Sequence, residues 1–150
     1  MLTQLVFLLH CGTTLYLTGL IWTIQLVHYP TFRWVDPERF VEFEEFHTRA
    51  MCWVVIPAMV IELITGIALV WIVPRVDVSF WTPFVYANLI LVVLVWLSTF
   101  FLSVPLHETL SQQRDAAKID KLVKTNWLRT VFWTLKMLLL FAVLVRFLSN

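Results

Sequence analysis

The stretch KTNWLRTVFWTLK, residues 124–136, opens an apolar run that continues to Leu148 and is typical of a membrane-spanning helix. On a helix with about 3.6 residues per turn, four of its side chains share one stripe: Asn126, Arg129, Trp133 and Lys136. Lys136 then lies about 15 Å from Asn126 along the axis, close to the middle of the bilayer. A cation at that depth costs about 3 kcal/mol or more and normally faces a partner inside a helix bundle. We therefore expect the rest of the chain to supply such an interior.

The composition is that of an integral membrane protein. Hydrophobic residues make up 60% of the 150 residues and charged residues 14%. Mean hydropathy is +0.82, whereas a soluble domain is about half apolar and about a quarter charged. A net charge of +1 argues against nucleic acid as a partner. The expected surroundings are therefore the lipid bilayer.

Apolar runs separated by prolines and polar connections predict an all-α fold, a transmembrane four-helix bundle with short amphipathic connections. We expect a single integral membrane domain over residues 1–150, with spans at about 2–29, 48–73, 83–106 and 126–148. In the first connection, Asp36 is expected to cap a helix that begins at Pro37. The second connection, residues 75–81, is short. The third, residues 109–123, is partly amphipathic and is expected to form a helix against the bilayer surface.

Positively charged residues cluster in the first and third connections: Arg33, Arg39, Arg114, Lys118, Lys121 and Lys124. The opposite side carries Arg75 and Arg146. Because cytoplasmic connections are enriched in Lys and Arg, this bias predicts that both termini lie away from the cytoplasm. The expected location is a bacterial inner membrane.

Antiparallel threading brings polar side chains from separate spans to one end of the bundle. The end of span one, the start of span two, the end of span three and the start of span four meet there, with His28, His47, His107, Asn126 and Arg129. Deeper in the bilayer, Glu62 and Lys136 are expected to pair. His10 and Asn88 reach toward Glu62 from the far side. The sequence thus predicts one polar stripe from each helix along a common axis.

Two interpretations of the imidazoles remain open. His28, His47 and His107 could bind a metal ion or haem, since neutral imidazole is the commonest metal ligand. They could also act as proton donors and acceptors beside a bound substrate, together with Arg129. In the other interpretation they are interfacial residues that hydrogen-bond across helices and to lipid headgroups. Their spacing matches no recognised metal motif such as HExxH.

The remaining polar residues allow similar alternatives. Asn126 and Arg129 would orient an anionic or quinone-like oxygen of a substrate or cofactor, and Trp133 could stack on a planar ligand. Glu62 and Lys136 could contribute to the same binding site through proton transfer. A buried pair of this kind can also be purely structural.

Four short motifs carry a family resemblance: QLVHYP at 25–30, FHTR at 46–49, VPLH at 104–107 and TNWLRT at 125–130. Together they resemble uncharacterised bacterial four-span membrane proteins that are distantly similar to the anthrone-oxygenase-like family. The resemblance implies oxidation of an apolar, aromatic or quinol-like compound at the membrane. It does not identify a cofactor.

These observations support two hypotheses. In the first, the protein is a membrane oxidoreductase or oxygenase-like protein acting on a lipophilic small molecule, and His28, His47, His107 and Arg129 carry the chemistry. In the second, it is a non-enzymatic accessory subunit, whose apolar faces bind a pigment, a cofactor, other membrane subunits or a second copy of the chain. A third possibility, a transporter, has little support because the chain shows no inverted repeat.

Overall fold

Long helices dominate the computed structural model, which describes residues 1–73 and 81–149. Helix α1 runs over Leu2–Trp34, α2 over Pro37–Ile72, α3 over Trp81–Leu110 and α4 over Ala116–Leu148. Within these described ranges, each of the four is long and apolar enough to cross a membrane. The predicted all-α four-helix bundle is therefore confirmed. Helix α1 packs against α2 and α4, and α3 packs against the same two helices.

The outer surface of the bundle is apolar. Large side chains such as Trp53, Trp71 and Phe101 are mostly exposed, at 80%, 67% and 73%. An exposed hydrophobic surface of this extent is unusual for a soluble monomer. Together with the four long apolar helices, it identifies the chain as an integral membrane protein in a lipid environment.

The helices are longer than the predicted spans at the end where the first and third connections lie. Helix α4 has 33 residues and is therefore about 50 Å long, whereas the hydrocarbon core of a bilayer is about 30 Å thick. The bundle therefore extends past the hydrocarbon at this end. The sequence prediction stopped each span where charged residues begin, but the helical hydrogen bonds continue past that boundary.

The first connection has the structure predicted from the sequence, whereas the third connection differs from its prediction. The side chain of Asp36 accepts from the backbone N–H of Glu38, and Pro37 is the first residue of the following turn, as predicted. The third connection is helical over residues 116–123, as predicted, but its predicted position on the bilayer surface is wrong, because these residues form the first turns of α4. Their apolar side chains are buried in the bundle instead of lying on the bilayer. The predicted second connection lies outside the described residues except for Trp81.

In the part of the chain that the structure describes, two π-helical turns interrupt the long helices, and each ends two residues before a proline. They cover Ile24–His28 in α1, before Pro30, and Thr99–Ser103 in α3, before Pro105. Proline lacks the N–H that would continue the α-helical ladder, and a π turn accommodates an extra residue at such a point. Each π turn rotates the side chains that come after it relative to a straight helix.

The core is layered along the bundle axis. One apolar cluster, toward the connection between α3 and α4, includes Phe32, Phe40, Leu110, Ile119 and Leu122. Another lies toward the chain termini and includes Leu69, Phe84, Leu140 and Val143. Buried polar side chains lie between these two ends. The apolar layers therefore separate the polar residues from water at both ends of the bundle.

Candidate functional site

A carboxylate, an imidazole and a phenol form a hydrogen-bonded chain across three helices. His107 Nδ1 lies 2.5 Å from Glu44 Oε1, and His107 Nε2 lies 3.0 Å from the hydroxyl oxygen of Tyr29. An ionised Glu44 can only accept, so His107 Nδ1 carries a proton and donates it. A neutral His107 then accepts at Nε2 from the Tyr29 hydroxyl. The order is carboxylate, imidazole, hydroxyl, as in the hydrogen-bonded arrangement that activates nucleophiles and bases.

Arg129 of α4 completes this chain. Its Nη2 donates to the hydroxyl oxygen of Tyr29 at 3.0 Å and also to Asn126 Oδ1. Arg129 is only 7% exposed. Its Nε is buried without a hydrogen-bond partner among the described residues. Arg129 can therefore stabilise negative charge on the Tyr29 oxygen and still has an unused donor.

Amide side chains hold Arg129 in place. Asn126, which is fully buried, donates from Nδ2 to Gln25 Oε1 at 2.8 Å. Gln25 in turn donates from Nε2 to the Val123 carbonyl at 3.2 Å. These bonds fix the orientation of Asn126, so its carbonyl oxygen faces the guanidinium. The Arg129 side chain is therefore preorganised by α1 and by its own helix.

The other two predicted histidines form a pair. His28 Nε2 and His47 Nδ1 lie 2.7 Å apart, so one ring donates and the other accepts. His47 is buried, and its ring centroid lies 5.3 Å from that of His107. Phe43 stacks on His47 at 6.3 Å between centroids. The imidazoles thus lie side by side, but His107 belongs to a different hydrogen-bonded chain from the other two.

A cavity of about 320 Å³ opens beside these residues. Most of its lining is apolar, with Leu17, Ile21, Met51, Val55 and Met59 among the lining side chains. The polar groups on its wall include Tyr29, His47, His107 and Arg129, and the indole of Trp133 also lines it. Cavities of this kind, apolar with a few converging polar groups, are the usual form of a small-molecule site.

A second polar network lies deeper in the membrane. Lys136 Nζ forms an ion pair with Glu62 Oε1 at 2.5 Å, as the sequence predicts, and both side chains are almost fully buried. Thr14 donates to Glu62 Oε1 at 2.8 Å, and Trp133 Nε1 donates to Glu62 Oε2 at 3.2 Å. Glu62 and Lys136 are not part of the cavity lining. Trp133 therefore separates this pair from the cavity.

His10 joins the deep network from the side of the termini. The Thr65 hydroxyl donates to backbone carbonyls of its own helix, so it accepts from His10 Nδ1 at 2.9 Å. Asn88 Nδ2 lies 2.8 Å from His10 Nε2. His10 is fully buried. These contacts satisfy both ring nitrogens.

The predicted site residues therefore occupy three positions. His47, His107, Arg129 and Trp133 line the cavity. His28 and Asn126 contact these lining residues from behind, and Glu62 and Lys136 lie beyond the indole. The eight residues form three hydrogen-bonded groups and not one pocket: His107 with Arg129 and Asn126 through Tyr29, His28 with His47, and Glu62 with Lys136 and Trp133.

Sequence reasoning missed Tyr29 and Glu44. Tyr29 follows His28 at the predicted end of span one, and Glu44 lies among the glutamates of an apparently superficial connection. Both are buried, at 4% and 0%. Helical spacing could have identified both residues as inward-facing, because Glu44 precedes His47 by three residues and Tyr29 follows Gln25 by four.

The arrangement gives no support to the predicted metal ion or haem. No group of three or more His, Cys, Asp or Glu side chains in residues 1–73 and 81–149 has the geometry of a metal site. His28 and His47 bond to each other, and both nitrogens of His107 contact oxygen atoms. The three imidazoles do not converge on a common point. The metal and haem hypotheses stay predictions.

No family model, curated protein or solved structure matches this chain. The chemistry of the site is therefore inferred from its own residues.

Proposed function

We propose that the protein is a membrane oxidoreductase, of an oxygenase-like kind, that acts on a lipophilic substrate with a weakly acidic group, such as a phenol or a quinol. The observation that carries the proposal is the chain Glu44–His107–Tyr29, with Arg129 on the Tyr29 oxygen, at the wall of an apolar cavity. The family resemblance of the sequence motifs points to the same class of substrate.

The chain can remove a proton from a bound substrate. Tyr29 passes its proton to His107 Nε2, Arg129 stabilises the tyrosinate, and Glu44 stabilises the imidazolium. The tyrosinate then takes the acidic proton of the substrate. Before the transfer the site contains Glu44⁻ and Arg129⁺, and afterwards it also contains a substrate anion and an imidazolium. Net charge is unchanged, which matters because an unbalanced charge is costly in an apolar site.

Deprotonation makes a phenol or quinol easier to oxidise, because the anion gives up electrons more readily than the neutral molecule. Oxidation of a quinol to a quinone releases two electrons and two protons. Dioxygen, which is apolar and dissolves in the bilayer, is the proposed oxidant. With a quinol it takes both electrons and both protons and becomes hydrogen peroxide. With anthrone one of its oxygen atoms enters the product, anthraquinone, and the other leaves as water with the two methylene hydrogens. The paired rings of His28 and His47, beside His107, provide a second place for a proton.

Tyr29→Phe tests this proposal because it removes the hydroxyl and keeps the ring. We expect the rate of oxygen consumption with a methylnaphthohydroquinone or with anthrone to fall about 100-fold or more, as for loss of a general base. The measurement uses purified protein in lipid nanodiscs, with oxygen uptake and the absorbance of the product as readouts. Tyr16→Phe is the matched control, since Tyr16 is half-exposed on the same helix and its hydroxyl bonds to the Val54 carbonyl.

The alternative, an accessory or pigment-binding subunit, predicts the opposite outcome. In that case the purified wild-type protein oxidises neither compound, and it co-purifies in a fixed ratio with other membrane proteins whether or not Tyr29 is replaced. Wild-type rates in the Tyr29→Phe variant would also contradict the proposed role of the hydroxyl.

We also propose that the chain lies in a bacterial inner membrane with both termini away from the cytoplasm. The support is the basic character of the end of the bundle where the first and third connections lie. Arg33, Lys121 and Lys124 are exposed there, and basic residues are enriched on the cytoplasmic side.

A further inference from the structure

The end of the bundle nearest the polar cavity is closed toward water. Beyond Tyr29 and His107 lies an apolar layer in which every side chain is at most 1% exposed: Phe32, Phe40, Leu110, Ile119 and Leu122. A ligand approaching along the bundle axis from this side would have to displace packed side chains.

Ionic and polar contacts hold this layer together from outside. Arg33 Nη2 lies 2.8 Å from Asp120 Oδ1, which links the end of α1 to the start of α4. Arg114 donates to the Arg33 carbonyl at 3.2 Å, and its guanidinium lies 6.0 Å from the centroid of the Phe40 ring. The start of α4, the end of α1 and the start of α2 are thus joined above the cavity.

The cavity is open sideways, between α2 and α3. Among its lining residues, Cys52 and Ile56 of α2 and Val104 and Glu108 of α3 are exposed at the outer surface. Within the described residues, α1 and α4 line it only with buried or partly buried side chains. The opening coincides with the π turn of α3, because Thr99 and Ser103 are also part of the lining.

The depth of this opening places it in the acyl region of one leaflet. Along α2 it extends from Thr48 to Ile56, about 12 Å on a helix. Exposed Arg49 lies at its outer end, and a long cation of this kind reaches the headgroups. The rim further in is apolar, since Ile56 is 46% and Val104 37% exposed.

We infer that the ligand reaches the site sideways from the bilayer, through the opening between α2 and α3. It is a membrane-dissolved weak acid whose acidic oxygen meets Arg129 and Tyr29 while its apolar part extends between the two helices into the leaflet. Polarity favours this occupant, because the inner wall carries a cation with an unused donor and the deeper part of the rim, at Ile56 and Val104, is apolar. The carboxylate of Glu108 lies at the part of the rim nearer the connection between α3 and α4. The inference rests on the proposed function in one respect, since it takes the cavity as the substrate site.

Filling the opening tests the route. Cys52→Phe with Val104→Phe adds two rings at the rim, and the matched control Ile64→Phe with Ile90→Phe adds two rings at exposed positions of the same helices outside the cavity. The probe is a hydroxynaphthoquinone with a decyl tail, which is a weak acid, added to protein in phosphatidylcholine vesicles. Its association is followed by quenching of tryptophan fluorescence in a stopped-flow instrument.

We expect the association rate constant to fall about tenfold or more in the rim variant and to stay at the wild-type value in the control. A water-soluble naphthoquinone sulfonate, which does not dissolve in the leaflet, should quench far less in the wild-type protein. Arg33→Ala, which breaks the contact with Asp120, should leave the tailed probe's rate unchanged.

Unchanged association in the rim variant, or faster association in Arg33→Ala, would overturn the lateral route and indicate access from water through the apolar layer. The experiments distinguish failure of the lateral route from failure of the proposed oxidation. Binding of the probe through the rim without oxidation of the quinol contradicts the proposed function alone. Absence of quenching in the wild-type protein contradicts the ligand class and therefore both proposals.

Discussion

The hydrogen-bonded chain of Glu44, His107 and Tyr29 depends on a specific order of donors and acceptors. Glu44 fixes the proton on His107 Nδ1, which leaves Nε2 free to accept from the phenol. Arg129 Nη2 donates to the same oxygen. A tyrosine in water is a poor base because it is almost entirely protonated near neutral pH. Tyr29 can act as a base here because His107 accepts its proton and Arg129 stabilises the resulting tyrosinate.

The contacts of the Glu62–Lys136 pair indicate a structural role. Glu62 accepts from the indole of Trp133, whose ring lines the cavity, and also pairs with Lys136. The pair thereby holds the cavity wall from behind. Removing one member of a buried pair leaves an uncompensated charge, and this costs more than removing both.

Lys136→Met should therefore lower the free energy of unfolding by about 3–5 kcal/mol, because Glu62 is left buried without a countercharge. The double variant Glu62→Gln with Lys136→Met should recover most of this loss, since the amide oxygen can still accept from Trp133. The measurement is unfolding of the purified protein by sodium dodecyl sulfate in mixed micelles. Additive losses in the double variant would show that the pair does not act as a unit.

The π turns of α1 and α3 set the direction of two key side chains. Tyr29 is the first residue after the turn Ile24–His28, and His107 follows Thr99–Ser103 by four residues. One extra residue in a turn rotates all later side chains of the helix by about 100°. The contact between the phenol and the imidazole therefore depends on backbone irregularities that the two prolines favour.

Pro105→Ala tests the importance of the turn in α3. Alanine supplies the missing N–H and allows a regular α-helix, so His107 should rotate away from Tyr29. We expect oxidation of the methylnaphthohydroquinone to fall by about 10-fold or more, with thermal stability equal to or above that of the wild-type protein. The matched control is Pro83→Ala, at an exposed position near the start of the same helix. Full activity with an unchanged Tm would argue against the turn as the positioning element.

The molecule as a whole balances charge inside an apolar environment. These two polar networks each contain one carboxylate and one basic side chain, Glu44 with Arg129 and Glu62 with Lys136. Each network is therefore close to neutral, which limits the cost of its burial. The bundle has a basic extension at one end, and the proposed direction of the molecule in the membrane rests on this extension.

Reporter fusions test that direction. Alkaline phosphatase, which is active only outside the cytoplasm, should be active when it is fused to the C-terminus after Asn150. The same enzyme inserted after Gln112, in the connection between α3 and α4, should be inactive. A cytoplasm-active fluorescent fusion at both positions is the control and should give the reverse pattern. Activity at Gln112 with inactivity at the C-terminus would reverse the proposed orientation.

The prediction of inward-facing polar residues worked where the signal was periodic. Asn126, Arg129, Trp133 and Lys136 recur along one stripe of a long apolar run, and all are buried. It failed for Glu44, because the glutamates around it are typical of a solvated surface, and for Tyr29, because regular periodicity ends at the π turn that precedes it. The metal hypothesis rested on residue type alone, and the actual partners of the imidazoles could not be inferred from their spacing.

The chain's composition and periodicity were sufficient to establish a membrane bundle with polar stripes turned inward, because hydrocarbon cannot solvate charges or unpaired backbone groups. Only the tertiary structure, in which the helices are packed, shows which residues of these stripes contact one another. Tyr29 and His107 are separated by 78 positions in the chain, and their contact depends on helix rotation, on the two π turns and on the length of the helices beyond the bilayer. The opening between α2 and α3 has the same origin, since its lining comes from four helices and not from any local run of residues.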